Sequence, residues 1–412
     1  MAITEADIQG DVLEWFHAEW DPNLALLDWR EKLVESGWAV PSWSTDWYGR
    51  GLPAWADRVA HSTIRRAGGV AVPLGGGMGL AAPTMYDHAS DDLKRKYLRK
   101  TITGELTWCQ LFSEPGAGSD LAGMRATATR DGDEWIVNGQ KVWNTMAHRA
   151  DMAILVARTD WDVAKHAGIT YFLLDMRQPG VEVRQILEMN YHDSFNEVFL
   201  NEARIPAEDV VGDVGDGWRV ARGTLAHERS FSTMRDVYFS PESTGRVIEE
   251  ARAEAAEYNK TYEWYPQRKG RVDLVIERAK ATGAVNDPVV RQEMMKLISF
   301  EKASGWTAER AKAARALGRP PGSEGSIGKL ALSVIARQAN HVHSMIAGAT
   351  AMLKETDDPI DSVIAEILVS TPAQSIAGGT DEIQHNILGE NVLGLPKEPD
   401  PNKGKPFREV GT

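Results

Sequence analysis

The sequence predicts an α+β chain made of helices, then strands, then helices again. Three observations carry this reading. Apolar residues recur at helical spacing from Ile8 to about Leu106, the period falls to two between about Thr107 and Gly217, and the helical period then returns and persists to about Leu393. Such segregation argues against alternating βαβ units and a dinucleotide-binding parallel sheet. A chain of 412 residues is too long for one small core and suits two or three domains. The expected division is an N-terminal helical domain (1–106), a middle β-domain (107–216), a C-terminal helical domain (217–395) and a tail (396–412).

In the first part Leu24, Leu27, Leu33 and Val34 fall near helix spacing, Ser90-Asp91-Asp92-Leu93 reads as a capped helix start, and the glycines between Gly75 and Gly79 punctuate the pattern. In the middle part Ala126-Thr127-Ala128-Thr129 precedes the turn Asp131-Gly132-Asp133, and Glu134-Trp135-Ile136-Val137 precedes Asn138-Gly139, which reads as a second turn. Apolar runs at Met152 to Val156, Ile169 to Leu174, Val181 to Leu187 and Val198 to Leu200 supply further strands, enough for a small barrel or sandwich. The last third is broken near Pro241, Pro266, Pro288, Gly318 to Gly322 and Asp357 to Pro359. No internal repeat is present.

Hydrophobic residues make up 42% and charged residues 25%, which fits a soluble globular protein rather than a disordered or fibrous one. Lys and Arg number 46 against 59 Asp and Glu, a formal charge of -13 that disfavours a nucleic-acid partner. The basic run from Lys94 to Lys100 reads as a solvated helix face, and the Pro-rich stretch from Lys397 to Arg408 as a loose terminus. Cys109 is the sole cysteine, so no intramolecular disulfide exists. The acidic start lacks the basic-then-apolar order of a secretory signal, and the most apolar run, Ala67 to Pro83, is broken by prolines and glycines. The expectation is a soluble cytoplasmic protein without a membrane span.

The chemistry concentrates in two runs. The first is Trp108-Cys109-Gln110-Leu111-Phe112-Ser113-Glu114-Pro115-Gly116-Ala117-Gly118-Ser119-Asp120-Leu121, and the second is Lys141-Val142-Trp143-Asn144-Thr145. They offer backbone amides, hydroxyls and an indole face, the groups required by a flat electron-accepting ring with a phosphate tail. Gly116-Ala117-Gly118 fails as a dinucleotide fingerprint because Leu121 stands at the third glycine position. His341 and His343 are two apart on a helical pattern and point in different directions, so no metal site is expected. Neither a nucleophile elbow nor a Walker loop is present.

Together the two runs resemble the flavin-contacting segments of the acyl-CoA dehydrogenase family. The resemblance extends through Phe195-Asn196-Glu197-Val198-Phe199-Leu200, Gly217-Trp218 and Gly378-Gly379-Thr380-Asp381-Glu382-Ile383-Gln384. It implies an N-terminal helical domain, a middle β-barrel domain and a C-terminal four-helix bundle, with FAD as cofactor. Gln110, Phe112, Ser113, Gly118, Ser119, Trp143, Asn144, Thr145, Thr380 and Glu382 would then contact FAD, with Gln110, Phe112 and Ser113 lining the isoalloxazine and Trp143 and Thr145 flanking it. Ser119 would reach the flavin pyrophosphate or the substrate. Arg229 and Gly379 would also meet substrate.

Many relatives carry the catalytic carboxylate just before the late Gly-Thr pair, where this chain has Gly378. Long-chain and isovaleryl-CoA dehydrogenases similarly lack it and place a glutamate before an arginine on the first helix of the C-terminal domain. Leu225-Ala226-His227-Glu228-Arg229 matches that arrangement, which makes Glu228 the expected base and Gly378 a matching gap and amide donor. On a helix Glu228 shares a stripe with Ala221, Thr224, Leu225, Phe231, Ser232, Arg235 and Phe239, a mixed, half-apolar face on which the carboxylate is either paired by Arg235 or partly desolvated, and desolvation would raise its pKa. The reaction implied is α,β-dehydrogenation of an acyl-CoA thioester, with electrons passed to an electron-transfer flavoprotein.

The chain departs from the family at residues 262–270 and 344–349, where features that hold the adenine half of FAD across a subunit contact are usually found. These departures leave open a homo- or hetero-oligomer (dimer or tetramer) and a non-catalytic or half-site subunit; separately, because some relatives oxidise nitrogen or sulfur compounds, the resemblance also allows a flavin-dependent monooxygenase on the same fold.

Overall fold

A computed structural model describes residues 3–231, 242–316, 322, 324–353 and 358–410. The chain forms two compact units. The first comprises Met1–Ile186, Asp193–Thr261 and Asn402–Thr412, and the second Leu187–His192 and Tyr262–Pro401.

The first unit opens with α1 (Glu5–Glu19), α2 (Leu26–Glu35), α3 (Trp55–Arg66), α4 (Ala82–His88) and α5 (Asp91–Thr103). Helix α1 begins at a capping box between Thr4 and Asp7, and the Ser90 side chain caps α5 by accepting from the Leu93 N–H. Ahead of α4 the glycine-containing stretch Gly77–Ala81 winds as a π-turn. Leu33 and Val34 are buried as expected, but Leu24 precedes α2 and Leu27 is 42% exposed, so the apolar stripe of α2 is narrower than its spacing suggests. The basic face of α5 is ion-paired: Lys96 with Asp209, Arg95 with Asp92, and Arg99 with Glu31 and Glu35.

Seven strands form one sheet: β1 (Trp108–Leu111), β2 (Thr127–Asp131), β3 (Glu134–Lys141), β4 (Met152–Arg158), β5 (Ile169–Asp175), β6 (Val181–Ile186) and β7 (Phe195–Pro206). The order is β1-β4-β2-β3-β7-β6, with β5 also paired to β4. Strands β1 and β4 run parallel, while β2 and β3 form the expected hairpin through Gly132, which has φ 59°. Asn138-Gly139, read as a turn, is instead a β-bulge inside β3, where the register against β7 shifts between Val137 and Gly139. Gly139 is required there, since a Cβ would lie 2.6 Å from that of Ala126.

Side chains from one face of every strand meet in a single core, among them Leu111, Ala128, Val137, Leu155, Phe172 and Leu200, with Val183 packed against it. A sheet whose seven strands share one inner face must curl on itself. The opposite faces of β4 and β5, with Ile154, Val156 and Tyr171, join a second core with the N-terminal helices, which explains why these two strands are buried along both faces. Helices α6 (Gly217–Phe231) and α7 (Arg246–Lys260) enter that second core through Val220, Ala221, Val247 and Ile248. The C-terminal stretch is not the loose terminus the sequence suggests. Phe407 is buried, and its N–H donates to Val163 O at 2.9 Å.

The second unit is helical: α8 (Tyr265–Arg268), α9 (Val275–Ala281), α10 (Pro288–Ala316), α11 (Glu324–Ala347), α12 (Pro359–Ser370), α13 (Pro372–Ile376) and α14 (Asp381–Asn391). Pro288 and Pro359 each begin a helix, as proline does where its missing N–H costs no hydrogen bond. Leu297, Ala339 and Val342 form the main core, with Ile364 and Ile367 in a smaller one. The breaks expected at Pro241 and from Gly318 through Pro321 lie outside the described residues. No helix among the described residues is long and apolar enough to cross a membrane.

Candidate active site

The fold brings the two motif runs side by side. Ser113 O accepts from the Val142 N–H at 2.9 Å, and Gln110 O accepts from Asn144 Nδ2 at 2.8 Å. A buried ion pair welds them: Lys141 Nζ lies 2.9 Å from Glu114 Oε1 and donates to Phe112 O at 3.0 Å. The Glu114 carboxylate also accepts the backbone N–H groups of Arg125 and Ala126, at 2.6 and 2.9 Å. Burial pulls the Lys141 ammonium below the usual lysine range, opposed by the charge of Glu114. Reciprocal backbone bonds between Glu114 and Ala117, of 3.0 and 3.1 Å, close a tight turn through Pro115 and Gly116.

Phe112 is buried with its ring edge-on to Tyr171, 5.9 Å between centroids, whereas Gln110 and Ser113 are half-buried. Gly118 and Ser119 are exposed at the head of the loop that Glu114 ties down. Trp143 stands 58% exposed on a left-handed backbone (φ 64°), packed edge-on against Phe195 at 5.8 Å. Its neighbour Asn144 is buried and pairs with Asn196 through reciprocal backbone bonds of 3.0 and 3.1 Å. Asn144 Oδ1 is buried without a hydrogen-bond partner, and Thr145 beside it is half-buried. An orphaned acceptor, a presented indole and a glycine turn together suit a planar heterocycle bearing N–H groups and a phosphate tail.

Glu228 lies half-buried on α6, one turn after Thr224. The Thr224 hydroxyl is fully buried, 3.0 Å from both Thr84 Oγ1 and Tyr171 Oη, so that α4, β5 and α6 meet at one hydroxyl. Of the expected stripe, Ala221 and Thr224 are buried and Leu225 half-buried. Ser232, Arg235 and Phe239 lie outside the described residues, as do the side chains of Phe231 and Arg229, the residue after Glu228.

In the second unit Gly378 and Gly379 take left-handed conformations, φ 69° and 88°. A Cβ at Gly378 would meet nothing within 4 Å, whereas one at Gly379 would lie 2.6 Å from Gln384 Nε2. Position 378 thus opens on space, and any side chain there would be strained. Thr380 caps α14 by accepting from the Ile383 N–H at 3.3 Å, and Glu382 is exposed in the first turn. Asp381 is buried and paired with Arg337 at 2.7 Å. Residues 262–270, which depart from the family pattern, carry an aromatic cluster in which Tyr265 lies 4.9 Å from Trp264 and 4.7 Å from Tyr262. His343 is buried, its Nε2 bonded to Gly270 O at 3.1 Å, and no cluster of metal-ligating side chains exists among the described residues.

Sequence reasoning did not single out Glu114, Asn196 or the Lys141 ammonium as parts of the site. The signal was faint: an acid in the first run and a base opening the second, both charged types that are seldom buried unless paired.

Three family models match the chain in order: acyl-CoA dehydrogenase N-terminal domain over residues 2–105, middle domain over 109–202 and C-terminal domain over 269–393. Acyl-CoA dehydrogenase IpdE1 of Mycobacterium tuberculosis (strain ATCC 25618 / H37Rv) is 34% identical over 377 residues, covering 90% of this chain and 88% of the relative. The chain belongs to the acyl-CoA dehydrogenase family. Acyl-CoA dehydrogenase FadE34 of the same organism is 35% identical over 366 residues, 89% of this chain but 46% of that longer protein. Among solved structures, the Tcur3481-Tcur3483 steroid acyl-CoA dehydrogenase superposes with a TM-score of 0.64 at 20% identity, covering 96% of this chain and 98% of that one. A glutaryl-CoA dehydrogenase in complex with glutaryl-CoA gives 0.59 at 23% identity, covering 95% of each chain. These likenesses establish the α+β acyl-CoA dehydrogenase fold. Membership places the chain among oxidoreductases that act on acyl-CoA with FAD as cofactor.

Proposed function

We propose that this acyl-CoA dehydrogenase removes the α and β hydrogens of an acyl-CoA thioester to give a 2-enoyl-CoA, with Glu228 as general base. The observation that carries the reading is the joining of the two motif runs, which leaves Trp143 presented and Asn144 Oδ1 without a partner. Residues 110, 112, 113, 143, 144 and 145 would hold the ring of FAD, Gly118 and Ser119 its pyrophosphate or the substrate, and Thr380 and Glu382 a further part of the cofactor. FAD, when bound, supplies the hydride acceptor.

Glu228 takes the α-proton, and the electrons of that C–H bond become the new double bond as the β-hydrogen leaves with its own pair. Glu228 is half-buried on a helix whose buried face carries Ala221 and Thr224, the kind of setting from which a carboxylate can act as a general base. The backbone amide of Gly378 would donate to the thioester oxygen, with Gly379 and Arg229 contacting substrate. A glutamate at 228 together with a glycine at 378 supports an acid borne on α6, and the pairing weighs against a monooxygenase, whose chemistry needs no such change. The test is anaerobic flavin bleaching by acyl-CoA. Glu228→Gln should slow it by roughly 10²- to 10⁴-fold, and bleaching at the parent rate would remove Glu228 from the role.

The proposed setting is the cytoplasm, with an electron-transfer flavoprotein as oxidant and the domain limits 1–106, 107–216, 217–395 and 396–412 as frame. We propose further that the chain works as a homo- or hetero-oligomer. Exposed Trp306 and Leu393, each 71% accessible, support a covering partner. The aromatic cluster at residues 262–270 favours a two-subunit enzyme in which this chain holds FAD weakly alone. Structural neighbours include complexes of two named chains, Tcur3481-Tcur3483 and ChsE4-ChsE5. A visible spectrum of the purified chain separates the cases, because a colourless protein that gains flavin only with a second subunit is a half-site subunit.

A further inference from the structure

Arg158, the last residue of β4, is fully buried, yet no ion pair among the described residues involves it. Its guanidinium spends its donors on backbone carbonyls instead: NH2 on Ala122 O at 2.7 Å, NH1 on Lys165 O at 3.0 Å and Nε on Met124 O at 3.3 Å. With its donors on carbonyls and only the charges of Glu114, Asp120 and Asp160 attracting it through space, such a cation depends on whatever excludes water from it. Two rings cover it: the Phe407 centroid stacks 3.5 Å from the guanidinium carbon, and Trp161, packed against Phe407 at 5.5 Å, lies over it at 5.5 Å.

Phe407 is itself fastened down. Its N–H donates to Val163 O at 2.9 Å, the next N–H donates to Trp161 O at 3.1 Å, and Arg408 pairs with Asp162. Two of the three carbonyls that Arg158 grips, those of Ala122 and Met124, belong to the stretch just after the exposed Gly118-Ser119 turn, and residues of that stretch, Gly123 and Arg125 among them, line a cavity of about 210 Å³ with Gly116. Lys165, held by the same guanidinium, forms an ion pair with Asp120.

We infer that the C-terminal turn is a strap: Phe407 shields Arg158, Arg158 fixes the 119–126 loop, and both are positioning residues for the phosphate-bearing ligand that this loop contacts. The ligand clause rests on the proposed role of Gly118 and Ser119; the strap itself does not. Because the strap orders a binding loop and touches no reacting atom, its loss should weaken binding and leave turnover alone.

Hydrogen exchange on the full chain, followed by mass spectrometry, reads the strap directly. Phe407→Ala should speed exchange in peptides spanning 119–126 by about ten-fold or more while β5 stays protected, Phe407→Tyr should match the parent, and Arg158→Lys, which keeps charge but loses the fork, should behave like Phe407→Ala. Unchanged exchange in the loop, or an equal rise throughout the sheet, overturns the strap. With local loosening established, Phe407→Ala should raise the acyl-CoA KM or the FAD dissociation constant about ten-fold at unchanged kcat. Local loosening with both constants at parent values leaves the strap standing and overturns the assignment of Gly118 and Ser119 to ligand binding.

Discussion

Two ion pairs, one in each unit, stand in opposite surroundings. Glu114 and Lys141, in the first unit, are 9% and 0% exposed and have every polar atom engaged by backbone or by each other. Asp381 and Arg337, at the start of α14 in the second, leave the arginine 54% exposed. Burial pushes the Asp381 carboxyl up, but hydrogen bonding by Arg337 and the nearby Lys329 outweigh it and hold the group below the usual range. The joined motif runs of the first unit are therefore held by a pair sealed from water, whereas the residue after the glycine loop at 378–379 is held by polar contacts that water can replace.

Breaking the buried pair should have the largest effect. Lys141→Met strands the Glu114 carboxylate and should cost about 3 to 5 kcal/mol in denaturant unfolding, while Lys141→Met with Glu114→Gln should cost less than the sum of the single changes. A loss below about 1 kcal/mol for the single variant would erase the contrast between the two anchors.

The second unit should show its weakness on acidification. Burial holds the His343 imidazole below its usual pKa, and its Nδ1 has no acceptor for a second proton. The unfolded chain takes up that proton as pH falls through about 6.5 and the folded chain does not, so stability is intact above that pH and is lost below it, by up to about 1.4 kcal/mol per pH unit. Unfolding midpoints of the parent against His343→Gln, whose amide can still donate to Gly270 O, should converge as the pH drops. Parallel curves would assign the acid loss to other groups.

The smallest change belongs to the exposed pair. Arg337→Ala should cost no more than about 1 kcal/mol, because a half-exposed pair is screened by solvent. Its effect should shrink in high salt, while that of Lys141→Met should not.

The order of helices and strands was legible because period, caps and prolines are local signals: Ser90 caps α5, Gly132 turns a hairpin, and Pro288 and Pro359 open helices. What escaped depended on distant partners. Asn138-Gly139 carries a turn signal, but pairing with β7 on both sides overrides it and turns the glycine into a bulge. Strand β1 is four residues long, and its partner β4 is distant in sequence, so no alternation marks it. The pairing of Glu114 with Lys141 was not legible because nothing local says that each is the other's counter-ion. The C-terminal stretch read as loose from its prolines, and only the docking of Phe407 on Arg158 shows otherwise. At the site, residue types and spacing pointed to Gln110, Trp143 and Asn144, and the fold brings their two runs together; the role of Glu228 as base is the proposal that bleaching kinetics will decide.

Cys109 sits in β1 with its sulfur sealed in the sheet core, and burial pushes its thiol far above the usual range. The native molecule therefore presents no thiolate to an alkylating reagent. Since no other sulfhydryl competes, the rate of labelling by a maleimide becomes a built-in clock for transient opening of the parallel β1 and β4 pair.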